Sequence, residues 1–399
     1  MKRLEYVPVA LAGLLLGVLS VLLWAQLVLG AVDHGKKMKL CAAVFGVTQP
    51  PSATFNTQNV LNGVWQKALA QRIGYSEPYF PFAVRVRNQV EYSLLDVPAS
   101  PNVVIGAHQQ LIQSAYIDDF CSRNVHKFLE GAPAWAAKIR TIQDTVEARG
   151  QTFLYVITPS KVAMYPQILP PGLQCPSSQA DRTGLVPAWL AVVQKAGVHV
   201  VNTIDTLNAA RPDYPFPMFP QGGIHWNSVG SALGTLAVEQ NLQAQREDGM
   251  FKPFTFTWKM SGSPGGSDAD LASVLNLMIV PTHFQVPDIT IHEPPKAPGC
   301  HKLLITIVAG SFMEHVGPKL SLLPCGAHVV EYFYWHKHRT VWDNGVQRVD
   351  PIISTQRDDD LLRSDVVIYE ENEEVLGRSI HGAEFYQWIL QHPAVKQLH

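Results

Sequence analysis

Charge is scarce in this chain. Of its 399 residues only 16% are Asp, Glu, Lys or Arg, and 31 basic against 33 acidic residues leave a net charge of −2. No basic field exists to track a phosphate backbone, which argues against nucleic acid as a partner. Cysteine is sparse as well: Cys41, Cys121, Cys175, Cys300 and Cys325 contain no C-x-x-C pair, which argues against a zinc ribbon or a thioredoxin-like centre. Periodic repeats are missing, which argues against solenoids and propellers. His336 and His338 alternate along one segment, but no carboxylate or third histidine stands at ligand spacing. No metal and no cofactor are expected.

Residues 7–32, "VPVALAGLLLGVLSVLLWAQLVLGAV", lack charge altogether. As a helix they would run about 39 Å, more than the roughly 30 Å hydrocarbon core of a bilayer. A cleaved signal peptide has a shorter apolar stretch, so the expectation is an uncleaved, single-pass signal anchor. Lys2 and Arg3 favour a cytoplasmic tip, whereas Lys36, Lys37 and Lys39 pull the other way. The short tail favours an exported body, expected in the periplasm of a bacterium with the anchor in the inner membrane. Five cysteines suit such a body with one or two disulfides, and Cys300 with Cys325 is one pairing the spacing permits.

What is present beyond the anchor is organised. Residues 33–100 read as a linker and helical lead-in, with "NVLNGVWQKALAQRI" carrying apolar residues at helical spacing. From residue 101 to 399 strands alternate with helices. "TFLYVIT", "VHVVNT", "KLLITIVA", "AHVVEYFY" and "SDVVIYE" are the strand candidates. A continuous apolar run such as "KLLITIVA" suits a parallel strand buried on both faces. The pattern predicts an α/β fold with a doubly wound, mostly parallel sheet. An insertion is expected around 243–300, carrying the glycine-rich stretch "SGSPGGSDADLASVLNLM".

Ligands of open α/β sheets bind beyond the carboxyl ends of the strands, so polar residues there are the site candidates. In "LLITIVAGSFMEHVG", Ser311 follows Gly310 directly after a strand. Its hydroxyl would stand above the sheet beside free N–H groups able to hold an oxyanion; a capping serine is the alternative. In "GGIHWNSVG", His225 precedes a helix capped by Asn227 or Ser228. It would serve as a general base, or else sit as a loop histidine while Trp226 fills the core. Thr158 ends "TFLYVIT", with Ser160 and Lys161 just after it; they would point at a substrate or donate to an oxyanion, the alternative being a helix cap followed by a solvated lysine. "YFYWHKHRTVWDNG" gathers Trp335, His336, His338 and Arg339, a cluster suited to sugar rings and carboxylates.

Six stretches carry a resemblance: "VVIGAHQQLIQSAYIDDFC", "VITPSKVAMYPQILP", "GGIHWNSVG", "GGSDADLASVLNL", "VAGSFMEH" and "DVVIYEENEEVL". In this order they resemble the SGNH-hydrolase-like, alginate-type polysaccharide O-acetyltransferases, specifically the membrane-anchored members without a carbohydrate-binding tail domain. The resemblance covers roughly residues 55–385. It implies a flavodoxin-like SGNH fold and a periplasmic Ser–His–Asp enzyme that acetylates an exported polysaccharide. It also implies an acetyl donor relayed by a multi-span membrane acyltransferase. By position Ser311 is similar to the family's nucleophile and His225 to its base, with Trp226, Ser160, Lys161, Trp335, His336 and Arg339 as substrate-binding candidates. The family form Asp-x-His-Trp has Gly223 at its aspartate here, and Gly-Asp-Ser has become Ala309-Gly310-Ser311. Asp213, Asp268, Asp270 and Glu314 are therefore the candidates for the acid. A Ser–His dyad, an SGNH-type acetyl esterase and an inactive polysaccharide- or partner-binding relative are the alternatives.

Overall fold

The apolar run Leu303–Ala309 lies inside a sheet and is buried along most of its length. The computed structural model describes residues 17, 21, 44–46, 53–74, 79–246, 248–295 and 299–392. Apart from Gly17 and Val21, the expected anchor at 7–32 lies outside the described residues, as does Cys41. Among the described residues no helix is long and apolar enough to cross a membrane.

The chain divides into two units, residues 1–103 with 272–281, and residues 104–271 with 282–399. The first is helical, with Thr57–Leu61, Val64–Gly74 and Tyr79–Leu95. Within it, the buried Asn88 amide donates to the Leu275 carbonyl at 2.9 Å, which ties residues 272–281 to the last of these helices.

The second unit carries the sheet. Its strands, numbered along the chain, begin with the short pair β1 (Val103–Ile105) and β2 (Leu111–Gln113). There follow β3 (Thr152–Thr158), β4 (Val200–Asn202), β5 (Thr255–Ser261), β6 (Val286–His292) and β7 (Leu303–Ala309). The last are β8 (Ala327–Phe333), β9 (His338–Asp343), β10 (Val346–Asp350) and β11 (Val366–Asn372). The main sheet has the order β10-β9-β8-β7-β11-β3-β4. From β8 to β4 neighbours are parallel, whereas β9 and β10 form an antiparallel edge. This is the mixed, mostly parallel sheet of an α/β fold. The expected insertion holds the β5–β6 hairpin, paired from Thr255↔His292 to Ser261↔Val286.

The period-2 alternation of strand side chains builds two cores on this sheet. Leu154, Val156, Ile305, Ile307, Val366 and Ile368 point to one face and pack with Trp226, Val229, Phe312 and Leu320. Phe153, Tyr155, Ile157, Val367 and Tyr369 point to the other and pack with Ala136, Ile139, Trp189 and Phe385 from the covering helices. Each fully buried aliphatic or aromatic side chain of this kind contributes about 1.5–3 kcal/mol. Two disulfides pin the periphery, Cys121–Cys175 and Cys300–Cys325.

Candidate active site

Ser311 begins the turn that follows β7, after Gly310. Gly310 is held from below: its N–H donates to Glu370 Oε2 of the neighbouring β11 at 2.8 Å. Glu370 is fully buried and also accepts from the Thr158 hydroxyl at the end of β3. Burial pushes its carboxyl up to about 7. One buried acid therefore fixes the ends of three adjacent strands beneath the serine.

His225 reaches the same point from another loop. Asn227 caps the helix Ser228–Gln245 by accepting from the Gly230 N–H at 2.9 Å. It also binds Pro217 O through its amide and Met218 O through its N–H, both at 2.8 Å. These bonds fix the loop ahead of the helix. Phe312, buried next to Ser311, meets the rings of both His225 (5.0 Å) and Trp226 (5.7 Å), both edge-on. This aromatic clasp joins the histidine loop to the serine turn.

The polar geometry follows from that clasp. Ser311 Oγ lies 2.8 Å from His225 Nε2, so the hydroxyl can donate to the ring. His225 Nδ1 lies 2.6 Å from Asp270 Oδ2, placed to donate its proton there. The other Asp270 oxygen accepts from the Ile224 N–H at 2.9 Å and the Leu271 N–H at 2.6 Å. Both carboxylate oxygens are thus engaged, which sets the orientation of the acid and, through it, the histidine tautomer. The arrangement can take a proton from the serine and return it to a leaving group.

Of the four acid candidates only Asp270 is brought to His225. Asp268 lies nearby, its carboxyl pushed up to about 6 by burial, with Asp288 and Asp270 adding repulsion. Asp213 sits in the exposed turn Arg211–Asp213. Glu314 approaches His338 instead, at 3.4 Å.

The expected substrate-binding residues need correction, because most are consumed by the protein itself. Trp226 is 1% exposed and stacks so closely on the helix Ser228–Gln245 that a Cβ on Gly234 would lie 2.6 Å from its ring. Ser160 is buried as a helix cap, and its N–H donates to Glu373 at 2.6 Å. Lys161 is buried too, with Nζ donating to the carbonyls of Leu111 (2.9 Å), Pro220 (2.6 Å), Gln221 (3.0 Å) and Gly223 (3.0 Å). Burial lowers its pKa to about 7, opposed by Asp270. Trp335 is buried under Arg357, whose guanidinium lies 4.1 Å from the ring centre. Arg339 is buried and paired with Asp360 at 2.8 Å and Asp350 at 3.0 Å. His336 alone is exposed, and it pairs with Glu384 at 3.0 Å. Among the described residues no group of His, Cys, Asp and Glu is arranged to hold a metal ion.

Phe312 and Glu370 were absent from the candidates read in the sequence. A buried glutamate inside the apolar run "VVIYEEN" was the available signal, since an unpaired charge is rarely kept there.

Residues 123–297 match the family model described as SGNH hydrolase-like domain, acetyltransferase AlgX. That segment contains His225 and Asp270 and ends ahead of Ser311. The probable alginate O-acetylase AlgJ of Pseudomonas syringae pv. tomato is 25% identical over 175 residues, which cover 44% of this chain and 41% of that relative. Among solved structures, the O-acetyltransferase domain of Pseudomonas putida AlgJ is similar with a TM-score of 0.48 and 16% identity, over 73% of this chain and 99% of that one. Pseudomonas aeruginosa AlgX gives 0.45 and 13%, over 71% of this chain and 65% of that one.

Proposed function

We propose that this chain, whose residues 123–297 match the model of the SGNH hydrolase-like, AlgX-type acetyltransferase domain, is an O-acetyltransferase acting on an exported polysaccharide. The observation that carries this reading is the continuous relay Asp270–His225–Ser311, at 2.6 and 2.8 Å. In the reaction His225 Nε2 takes the proton of Ser311 as Oγ attacks the acetyl carbonyl of the donor. Asp270 steadies the imidazolium that forms, and the Ser311 N–H faces the developing oxyanion. The donor's leaving group takes the proton from His225 and departs, leaving an acetyl-serine. A sugar hydroxyl then gives its proton to His225 and attacks the acetyl-serine, which regenerates the serine.

The body is placed outside the cytoplasm, in the periplasm, held by the uncharged segment 7–32 as a single-pass inner-membrane anchor. The two disulfides support this, since such bridges persist in oxidising compartments. A multi-span membrane acyltransferase is the proposed source of the acetyl group.

The test incubates the purified chain with an acetyl ester reporter, with and without oligosaccharide. Acetylated sugar supports the transferase. Free acetate alone assigns an esterase, and neither product assigns a binding protein. Ser311→Ala and His225→Ala should each abolish turnover.

A further inference from the structure

One side chain beside Ser311 has no part in the relay. β8 ends at Phe333 and β9 begins at His338, which face each other across the antiparallel pair. The connection carries Tyr334 at φ +45° and Trp335 at φ +67°, two successive left-handed residues. Turns of this hand are normally built from Asn and Gly, because a side chain strains the left-handed backbone. Two bulky aromatics in such positions persist only where the surroundings hold them, and such strain gathers at functional sites.

Trp335 has a packing reason, being buried against Phe385 and Arg357. Tyr334 is only half-buried and has no comparable place in the core. Its N–H is fixed to Ala309 O at 2.8 Å, directly ahead of the Gly310–Ser311 turn. Its ring lies over Gly310: a Cβ built there would meet Tyr334 Cε1 at 3.4 Å and Oη at 3.5 Å. The His381 ring meets it edge-on at 5.8 Å, and the Lys337 ammonium lies 5.0 Å from its centre. The phenol is thereby held beside the Gly310–Ser311 turn, with its oxygen against Gly310.

That location matters because the Gly310 N–H is already committed to Glu370 and is not free to meet an oxyanion. A hole with the Ser311 N–H as one donor gains a second from this phenol. We propose that the Tyr334 hydroxyl is a catalytic group that fills the oxyanion position in the free site, turns aside when the acyl carbonyl enters, and donates its O–H to the tetrahedral oxygen. The Oγ–C bond forms as the carbonyl electron pair moves onto oxygen. The serine proton goes to His225, and the tyrosine keeps its own, which burial favours by raising its pKa.

This inference rests on Ser311 as nucleophile, and its test is separable from the proposed acetyl transfer. The full chain is treated with methanesulfonyl fluoride, and the adduct on Ser311 is followed by mass, alongside hydrolysis of an acetyl ester reporter. Tyr334→Phe keeps the ring over Gly310 and removes the hydroxyl. Labelling and kcat should both fall about 100-fold, the scale of losing one oxyanion donor, with KM little changed. Tyr334→Asn suits the left-handed backbone and should show the same loss, whatever the packing of the phenylalanine variant. Wild-type or faster labelling in both variants overturns the proposal. If Ser311 is labelled but no sugar is acetylated, the transferase reading fails while the labelling ratio still judges Tyr334. If wild-type Ser311 is not labelled and no ester is cleaved, both fall together.

Discussion

Gly223 and Ser267 approach so closely that a Cβ on the glycine would lie 2.2 Å from the serine's carbonyl oxygen. It would also meet Pro220 Cγ at 2.9 Å. The glycine-rich segment ahead of Asp270 has moved into the place a side chain at 223 would need, and the same segment delivers Asp270 to His225. Loss of the acid from one loop and its gain on the other are two sides of one packing arrangement.

Restoring the resembled motif should therefore fail. Gly223→Asp puts a side chain against main-chain atoms that no rotamer change can relieve, costing at least about 2 kcal/mol, toward the upper range of overpacking. The double variant Gly223→Asp, Asp270→Asn should stay inactive. Urea melts and ester turnover check both points, and recovery of activity in the double variant would show that 223 can still host the acid.

Asp270→Asn should lower kcat by about 10³–10⁴-fold, the effect of losing the carboxylate that sets the histidine tautomer in a Ser–His–Asp site. Asp268→Asn should leave kcat nearly unchanged, because that carboxyl makes no bond to His225. Steady-state kinetics of the two variants side by side separates the assignments. The reverse ranking would move the acid to 268.

Lys161→Met keeps the apolar stem and removes the ammonium from the carbonyls of Leu111, Pro220, Gln221 and Gly223, of which Gln221 O still accepts from the Leu111 N–H at 2.9 Å. The expected cost is about 3 kcal/mol, the scale of stranding buried polar groups. Gly223 lies two residues before His225, so the displaced loop should also lower kcat by about 10-fold or more. A lysine that merely touched substrate would instead raise KM without changing the melt.

Much of the fold could be read from the chain because strands buried on both faces need continuous apolar runs. "KLLITIVA" and "SDVVIYE" became β7 and β11, and Ser311 fell at the end of one of them. The acid was left among four because Asp270 meets His225 across 45 positions of sequence, through a loop whose path no local pattern specifies. In the sequence Lys161 reads as facing solvent or substrate since lysine is rarely buried, whereas in the fold four backbone carbonyls surround it. The cluster from Trp335 to Arg339 reads as a sugar site, although "WDNGVQRV" carries a hairpin signal. Asn344 and Gly345 both take positive φ (50° and 75°), as a tight Asn-Gly turn between β9 and β10 requires. On that hairpin Arg339 faces inward to Asp360 and Asp350 and cannot greet a ligand.

A last prediction concerns pH. Glu239, in the helix Ser228–Gln245, is 1% exposed, and its Oε2 has no partner among the described residues. Burial pushes its pKa up to about 8, against a weaker opposing bond from the Phe254 N–H. Between its ordinary value of 4.5 and about 8 the unfolded chain loses this proton while the folded chain keeps it. The folded state then binds more protons, so stability falls as pH rises through that window, by at most about 1.4 kcal/mol per pH unit for this group. Glu370, raised to about 7, acts with the same sign. The half-buried His315 and the buried His381, both held below their ordinary value by desolvation, act oppositely as pH rises toward 6.5. A variant is therefore needed to isolate Glu239. Glu239→Gln carries no titrating proton, so thermal melts at pH 5 and pH 8 should differ less for it than for the wild type. The variant should also melt above the wild type at pH 8. Parallel pH dependence in the two proteins would mean that Glu239 ionises in the folded chain as it does in water.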